Sequence, residues 1–358
     1  SSYGDSNPRL INCIISGNSA ETGGGIYSGD GSPQITNCTI SDNNASGKGG
    51  GFHNGRVSHS NAASTANPIL TNCTISGNSA NEGGGISNQA NMGVSPVTSP
   101  QITNCTISDN NASRNGGGIY NYARQNGGVA SPQFIGCDII GNTAEGQGGG
   151  IYNYAERAGA EASPTFTNCT ITDNEDALEG ILYDSAGMFN KGDQGIASPT
   201  LTHCIISNNN GGGIYNESRF GTVNPILTNC LISDNNGPGI YNYENGAAAD
   251  PILTNCTISG NNGIGMYNDT GSPTFTNCII WGNETIAQNV RGQGPPSYYN
   301  SIIEGSGGSD NWDNSFGTNG GYNFDSDPWF FRQSNPGDAP TSVGDFHLLR
   351  GSPAIDAG

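Results

Sequence analysis

The chain has 358 residues, of which 57 are glycine, only 33% are hydrophobic and only 11% are charged, too little apolar material for the core of an ordinary globular domain. Eleven basic against 30 acidic residues leave a net charge of −19, which sets aside nucleic-acid phosphates and acidic membrane surfaces as partners. No run of eighteen apolar residues exists to span a bilayer, and the opening SSYGDSNPRL has neither a basic leader nor an apolar export stretch, so an exported protein would be represented here by its mature form or a fragment.

A repeat dominates the chain. Each of its ten cysteines, from Cys13 to Cys278, lies five residues after a proline, from Pro8 to Pro273, and PILTNCTISGN at 68–78 is a good copy of the motif. A degenerate eleventh copy, PSYYNSIIEGS, starts at Pro296 and carries Ser301 in the cysteine place.

Counting from the proline, the second position is Leu, Ile or Phe, and the seventh is isoleucine in all eleven copies, from Ile15 to Ile303. Cysteine at five and isoleucine at seven share one face of a strand, whose side chains alternate with period two. Position two is out of step with that parity, so the chain turns a corner near position four, which is asparagine except at Gly136 and His203. A second asparagine column, at position ten from Asn18 to Asn283, reads as another corner. Asp42, Asp109, Asp173 and Asp234 share position nine and read as turn residues rather than a catalytic row.

Between successive copies stands a third strand, as in GGGIYS at 23–28 and GGGIYN at 116–121, 148–153 and 211–216, whose isoleucine points inward behind a tight glycine turn. Three short strands and three corners in a minimum of 22 residues, from Cys256 to Cys278, with no 3.6-residue apolar period, predict an all-β right-handed parallel β-helix of eleven or twelve coils. At about 4.8 Å per coil the rod is on the order of 55 Å long. The repeats occupy residues 1–305, and residues 306–358 form an irregular aromatic-rich cap continuous with the solenoid.

The PxLTNCTISGN and GGGIYN signatures resemble the right-handed parallel β-helix proteins of bacterial surfaces, including polymorphic outer-membrane protein repeats and pectate-lyase-like solenoids. The tail, with SIIEG at 301–305, FDSDPWF at 324–330 and GDFHLLRGSPAIDAG at 344–358, is similar to the closing segment of choice-of-anchor Q proteins. The resemblance implies an extracellular or cell-surface location, and polysaccharide cleavage as the activity to look for.

Catalytic parts for that activity are not visible. No paired aspartates occur on a strand, His53, His59, His203 and His347 are scattered, and Arg56, Arg124, Arg157, Lys191 and Arg219 read as loop residues. The cysteines, one per coil and without a CxxC pair, read as a buried reduced stack of small hydrophobes rather than a metal site or disulfides. Outward Thr-x-Thr/Ser pairs raise ice binding, but Ile14, Asp138, Ile205, Leu231 and Ile279 interrupt the array. No cofactor is expected, apart from Ca²⁺ held by Asp310, Asp313, Asp325 and Asp327. Glycosylation is expected at the turn sequons Asn44, Asn111, Asn216, Asn268 and Asn283, while the NCT asparagines Asn37, Asn72, Asn104, Asn168 and Asn255 are expected to be engaged in the corner.

The long insertions all follow the GGGIYN strand and stack into a ridge carrying Arg56, His59, Tyr122, Arg124, Tyr154, Arg157, Phe220 and Tyr243. Such a ridge is either an interaction surface or tolerated drift. The functional expectation is a non-enzymatic surface or matrix protein, adhesin or fibre subunit. Its partner would be itself, head to tail through the uncapped first coil, or a polysaccharide, with a carbohydrate-active β-helix as the alternative.

Overall fold

The computed structural model describes residues 7–55, 63–91, 94–124, 127–177, 186–247, 249–285, 288–289, 295–340 and 344–355. It is a parallel β-helix with four long sheets rather than three. The first contains twelve strands, from Arg9–Ile11 to Thr318–Asn319, and the second eleven, from Ile14–Ser16 to Ile302–Ile303. A third sheet of six strands runs from Ser19–Thr22 to Glu175–Asp176, and a fourth of ten runs from Ile26–Ser28 to Gln288–Asn289.

The register carries the repeat directly into space. Leu10 pairs with Ile35, Leu70 with Ile102, and Ile75 with both Ile40 and Ile107, so identical positions stack coil on coil. Positions two, five and seven, together with the isoleucine of GGGIYN, make one continuous buried core from Ile35 to Ile303. The narrow bore explains why so little hydrophobic residue suffices. Each coil has to bury only a few side chains, because its backbone groups bond to the coils above and below.

The corner expected at position four is there. Every described residue in that column, including Gly136 and His203, has φ between 49° and 60°, the left-handed region that asparagine and glycine tolerate. The second corner falls one residue earlier than expected. Position nine, where glycine alternates with Asp42, Asp109, Asp173 and Asp234, holds φ between 54° and 75°. Position ten points inward instead, and its asparagines form a buried ladder. Asn110 Nδ2 donates to Asn142 Oδ1 at 2.9 Å and to Ile75 O at 2.9 Å, while Asn110 N donates to the same Asn142 Oδ1 at 3.1 Å. The pattern repeats from Asn18 to Asn283.

That ladder also explains the glycine triplets. A Cβ added to Gly118 would lie 2.7 Å from Gly150 O and 3.0 Å from the Asn142 side chain, so the third glycine makes room for the asparagine column. The third sheet begins just past that column, with the inward alanines Ala45, Ala80, Ala112 and Ala144. Its last strand carries Asp176 in that place, and the next coil has Gly211.

At the C-terminal end the solenoid register runs past residue 305. Thr318–Asn319 pairs with Ser297–Tyr298 as the twelfth strand of the first sheet. Beyond it the chain folds back along the flank as an antiparallel pair, Phe330–Arg332 with Asp345–Leu348, and Ser334 donates a hydrogen bond to buried Asp234. No helix among the described residues is long and apolar enough to cross a membrane.

Candidate functional site

The outer face of the fourth sheet concentrates the chemistry of the molecule. Alternation along IYNYA sends isoleucine, asparagine and alanine inward and the two tyrosines outward. In-register pairing then stacks Tyr120, Tyr152, Phe189, Tyr215, Tyr241 and Tyr267, with ring centroids 4.3–5.6 Å apart. Beside it runs a second column in which Tyr122 stacks on Tyr154 at 5.3 Å, followed by Lys191, Glu217 and Tyr243. Tyr154, Tyr243 and Tyr267 are half-buried, while the inner rings are nearly covered.

Charged side chains bridge the coils along this strip. Lys191 Nζ lies 3.0 Å from both Glu217 oxygens, Arg124 Nε lies 3.3 Å from Glu156, and Arg219 lies 3.7 Å from Asp193. The Tyr122 hydroxyl donates to Glu156. Burial, reinforced by Glu156, raises the phenols: Tyr122 stands well above its ordinary value and Tyr154 is pushed up to about 12. Each of these carboxylates therefore faces a cation within 4 Å, and the tyrosines stay protonated as hydroxyl donors.

Several expectations change here. Lys191 and Arg219 were read as loop residues, but they lie in register on the strands Met188–Asp193 and Ile214–Arg219, opposite Glu217 and Asp193. Tyr122, Tyr154 and Tyr243 belong to strands too, whereas Arg124, Arg157 and Phe220 are exposed just beyond the strand ends. Arg56 and His59 lie outside the described residues. The insertions do stack, through bridges from Val97 to Val129, Glu161, Ile196 and Thr222. Glu156, Asp193 and Glu217 were missed, and their signal was position: acidic residues two or more places after an IY or analogous pair.

The other candidate residues are dispersed. Asp313 accepts from Ser315 N, Asp325 from Gly305 N and Gly307 N, and Asp327 from Trp329 N, while Asp310 is exposed. No group of three His, Cys, Asp or Glu side chains able to hold a metal occurs among the described residues, and Asp313, Asp325 and Asp327 each cap a nearby turn.

The sequons divide differently from the expectation. Asn216 and Asn268 are fully buried in a second asparagine ladder, inside the fourth sheet, where Asn190 donates to Asn216 at 2.9 Å and Asn216 to Asn242 at 2.8 Å. Asn283 ends the position-ten ladder, accepting from Asn261 at 2.8 Å. Asn44 and Asn111 are exposed as expected, and so are Asn37, Asn72, Asn104, Asn168 and Asn255, because the left-handed corner turns them outward. The cysteines are all free, and nine of the ten are buried. Burial holds the Cys38 thiol above its usual range, and hydrogen bonds with Cys137 and Cys73, then burial, do the same for Cys105.

A hollow of about 470 Å³ lies where the C-terminal hairpin meets the solenoid, between Asn229, Leu231 and Thr257 on one side and Arg332, Phe346 and His347 on the other.

The stacked parallel coils agree with comparison by sequence: the model of the family described as "Right handed beta helix region" matches residues 1–163 and 100–317. The chain belongs to the right-handed β-helix family. No curated protein and no solved structure matches it. Within this right-handed β-helix, the family match covers all ten cysteine coils and ends before the FDSDPWF segment.

Proposed function

We propose that this right-handed β-helix is a rigid, non-catalytic protein of an extracellular surface or matrix, and that it binds a glycan along the tyrosine strip of its fourth sheet. The supporting observation is the strip itself. Tyr154, Tyr243 and Tyr267 offer partly exposed rings on one face, in two adjacent columns, beside carboxylate and guanidinium groups from Glu156, Glu217, Arg124 and Arg219. Ring faces suit the C–H faces of sugars, and the flanking ion pairs suit hydroxyls that donate and accept together.

The same ion pairs favour binding over cleavage. Cleavage needs two carboxyls free to act on one bond, and Glu156 and Glu217 are each held by a cation within 4 Å instead. The net charge of −19 supports a solvated rod in contact with neutral polymers.

Affinity electrophoresis against a panel of neutral and acidic polysaccharides tests the reading. At least one gel should retard the protein, and the Tyr154→Ala/Tyr243→Ala pair should abolish retardation while leaving the circular dichroism unchanged. Equal mobility in every gel removes the glycan-binding reading. Release of reducing ends or unsaturated sugars would replace it with the carbohydrate-active one.

A further inference from the structure

The C-terminal hairpin is fastened to the solenoid but does not lie flush with it. Ser334 donates to Asp234, and Gly260 and Gly282, at position nine of the next two coils, leave the room that Ser334 and Gln333 occupy. Between Phe346 and Ala354 the tail faces the column of position-four asparagines, Asn229, Asn255, Asn277 and Asn300. Two hollows, of about 470 and about 300 Å³, open between tail and column, and Asn255 and Thr257 border both. Sharing that border, they make one cleft along the axis, three coil steps or about 14 Å long.

The hydrogen bonds of the column break inside this cleft. Asn229 Nδ2 lies 3.0 Å from His203 Nε2, and Asn255 Nδ2 donates to Asn229 Oδ1 at 3.0 Å. The next link, from Asn277 to Asn255, is not made. Among the described residues the side chains of Asn277 and Asn300 make no hydrogen bond, and Asn255 Oδ1 receives none. The Asn277 oxygen is covered, which leaves Nδ2 to meet the cleft. The break therefore presents an acceptor, Asn255 Oδ1, and a donor, Asn277 Nδ2, one coil apart.

A secondary amide suits such a pair. Its N–H and C=O point in opposite directions in one plane, so it can donate to Asn255 and accept from Asn277, continuing the run as another carboxamide would. The surroundings say which kind of amide. Beside the break the narrower hollow is lined by Ile279, Ile302, Leu348 and Ala354, a place for a methyl group. The wider one offers Asn229, Thr257, Arg332 and His347 to hydroxyls, with Leu231 and Phe346 as apolar faces. An acetamido sugar combines methyl, amide and hydroxyls in that order. An extended peptide would instead bring an amide about every 3.3 Å and leave those facing Ile279 and Leu348 unpaired.

We infer that the cleft under the C-terminal hairpin binds an oligosaccharide of N-acetylated amino sugars, its acetamido group held between Asn255 and Asn277 and its methyl against Ile279 and Leu348. Asn300 continues the column toward the next sugar unit. The cleft lies at the corner between the first and second sheets, whereas the tyrosine strip covers the fourth, so the inference stands independently of the reading of that strip.

Isothermal titration of the whole chain with the N-acetylglucosamine trimer, cellotriose and N-acetyl-trialanine amide tests this. The acetylated trimer should bind, cellotriose at least about tenfold more weakly, the weight of one hydrogen bond, and the peptide not at all. Asn277→Gly/Asn300→Gly should abolish binding and keep the fold, since Gly136 already occupies this left-handed position in another coil. Should that pair not fold, Ala354→Trp, which fills the narrower hollow from the tail side, takes its place. Tyr154→Ala/Tyr243→Ala should bind the trimer as the parent does. No heat with the trimer, equal affinity for cellotriose, preference for the peptide, or binding that survives in the cleft variants would overturn the inference. So would binding lost only in the tyrosine pair, a result that would assign the sugar to the strip and leave the reading of the strip standing.

Discussion

Asn142 meets four polar groups at once. It accepts from Asn110 N and Asn110 Nδ2, and donates to Ile107 O and Asn174 Oδ1, all at 2.9–3.1 Å and out of contact with solvent. Asn142→Ala strands those four partners together, so the loss should be on the order of 3 kcal/mol or more. Asn44→Ala, one column away but exposed, should stay within about 0.5 kcal/mol. Urea-unfolding midpoints of the two variants check the contrast. His53 gives a second expectation at this scale. Burial first, then the Lys48 charge, lowers it from 6.5 to about 3, with Tyr27 stacked on its face and Glu82 beyond Lys48. The unfolded chain binds this proton more readily than the folded one. Stability contributed by neutral His53 should therefore be complete above pH 6.5 and decline as pH falls from 6.5 toward 3. His53→Phe should flatten that part of the stability profile, and an unchanged slope in the variant would remove His53 as its cause.

At the scale of elements, the coil is the unit of construction. Residues 105–136 make one coil of the 32-residue spacing that separates Asn110 from Asn142. Removing them joins Asn104 to Cys137 without shifting any column. The shortened chain should keep its parallel-sheet circular dichroism, and small-angle scattering should find it shorter by about 5 Å. Deletion of half that span should destroy the fold, since strands of one coil then face corners of the next and every column is broken. This periodicity is also why the sequence was so readable. Cysteine at five and isoleucine at seven could be placed on one buried face from spacing alone, and the parity break before them located the corner at position four. The second corner was harder to place. Asn110 and its equivalents carry the residue type of a turn, and only the fold shows that Asp109 or Gly141 next to them takes the left-handed backbone. The third sheet escaped notice because its inward residues, such as Ala80 and Ala112, are too small to register as core. The tyrosine strip was visible as residues but not as a site. Lys191 and Glu217 are 26 positions apart, and nothing local announces that they meet.

For the whole molecule, direction matters as much as length. In the position-ten ladder each asparagine from Asn18 to Asn261 donates one amide N–H to the asparagine oxygen of the next coil toward the C-terminus, while the amides from Asn43 onward also turn back to an isoleucine carbonyl of the preceding coil. The ladder inside the fourth sheet, from Asn88 to Asn268, points the same way. A third series, from the residues before the prolines, links backbone N–H groups to side-chain oxygens of the preceding coil, as Ser99 N does to Asn67. Two files of primary amides thus lie head to tail along the axis, their oxygens toward the first coil and their nitrogens toward the last. Hydrogen-bonded groups in such a chain polarise one another, and the interior that contains them screens weakly. The rod is therefore an electret: besides its net negative charge it carries a permanent axial moment, and in an electric-field pulse it should turn to point one particular end at the cathode.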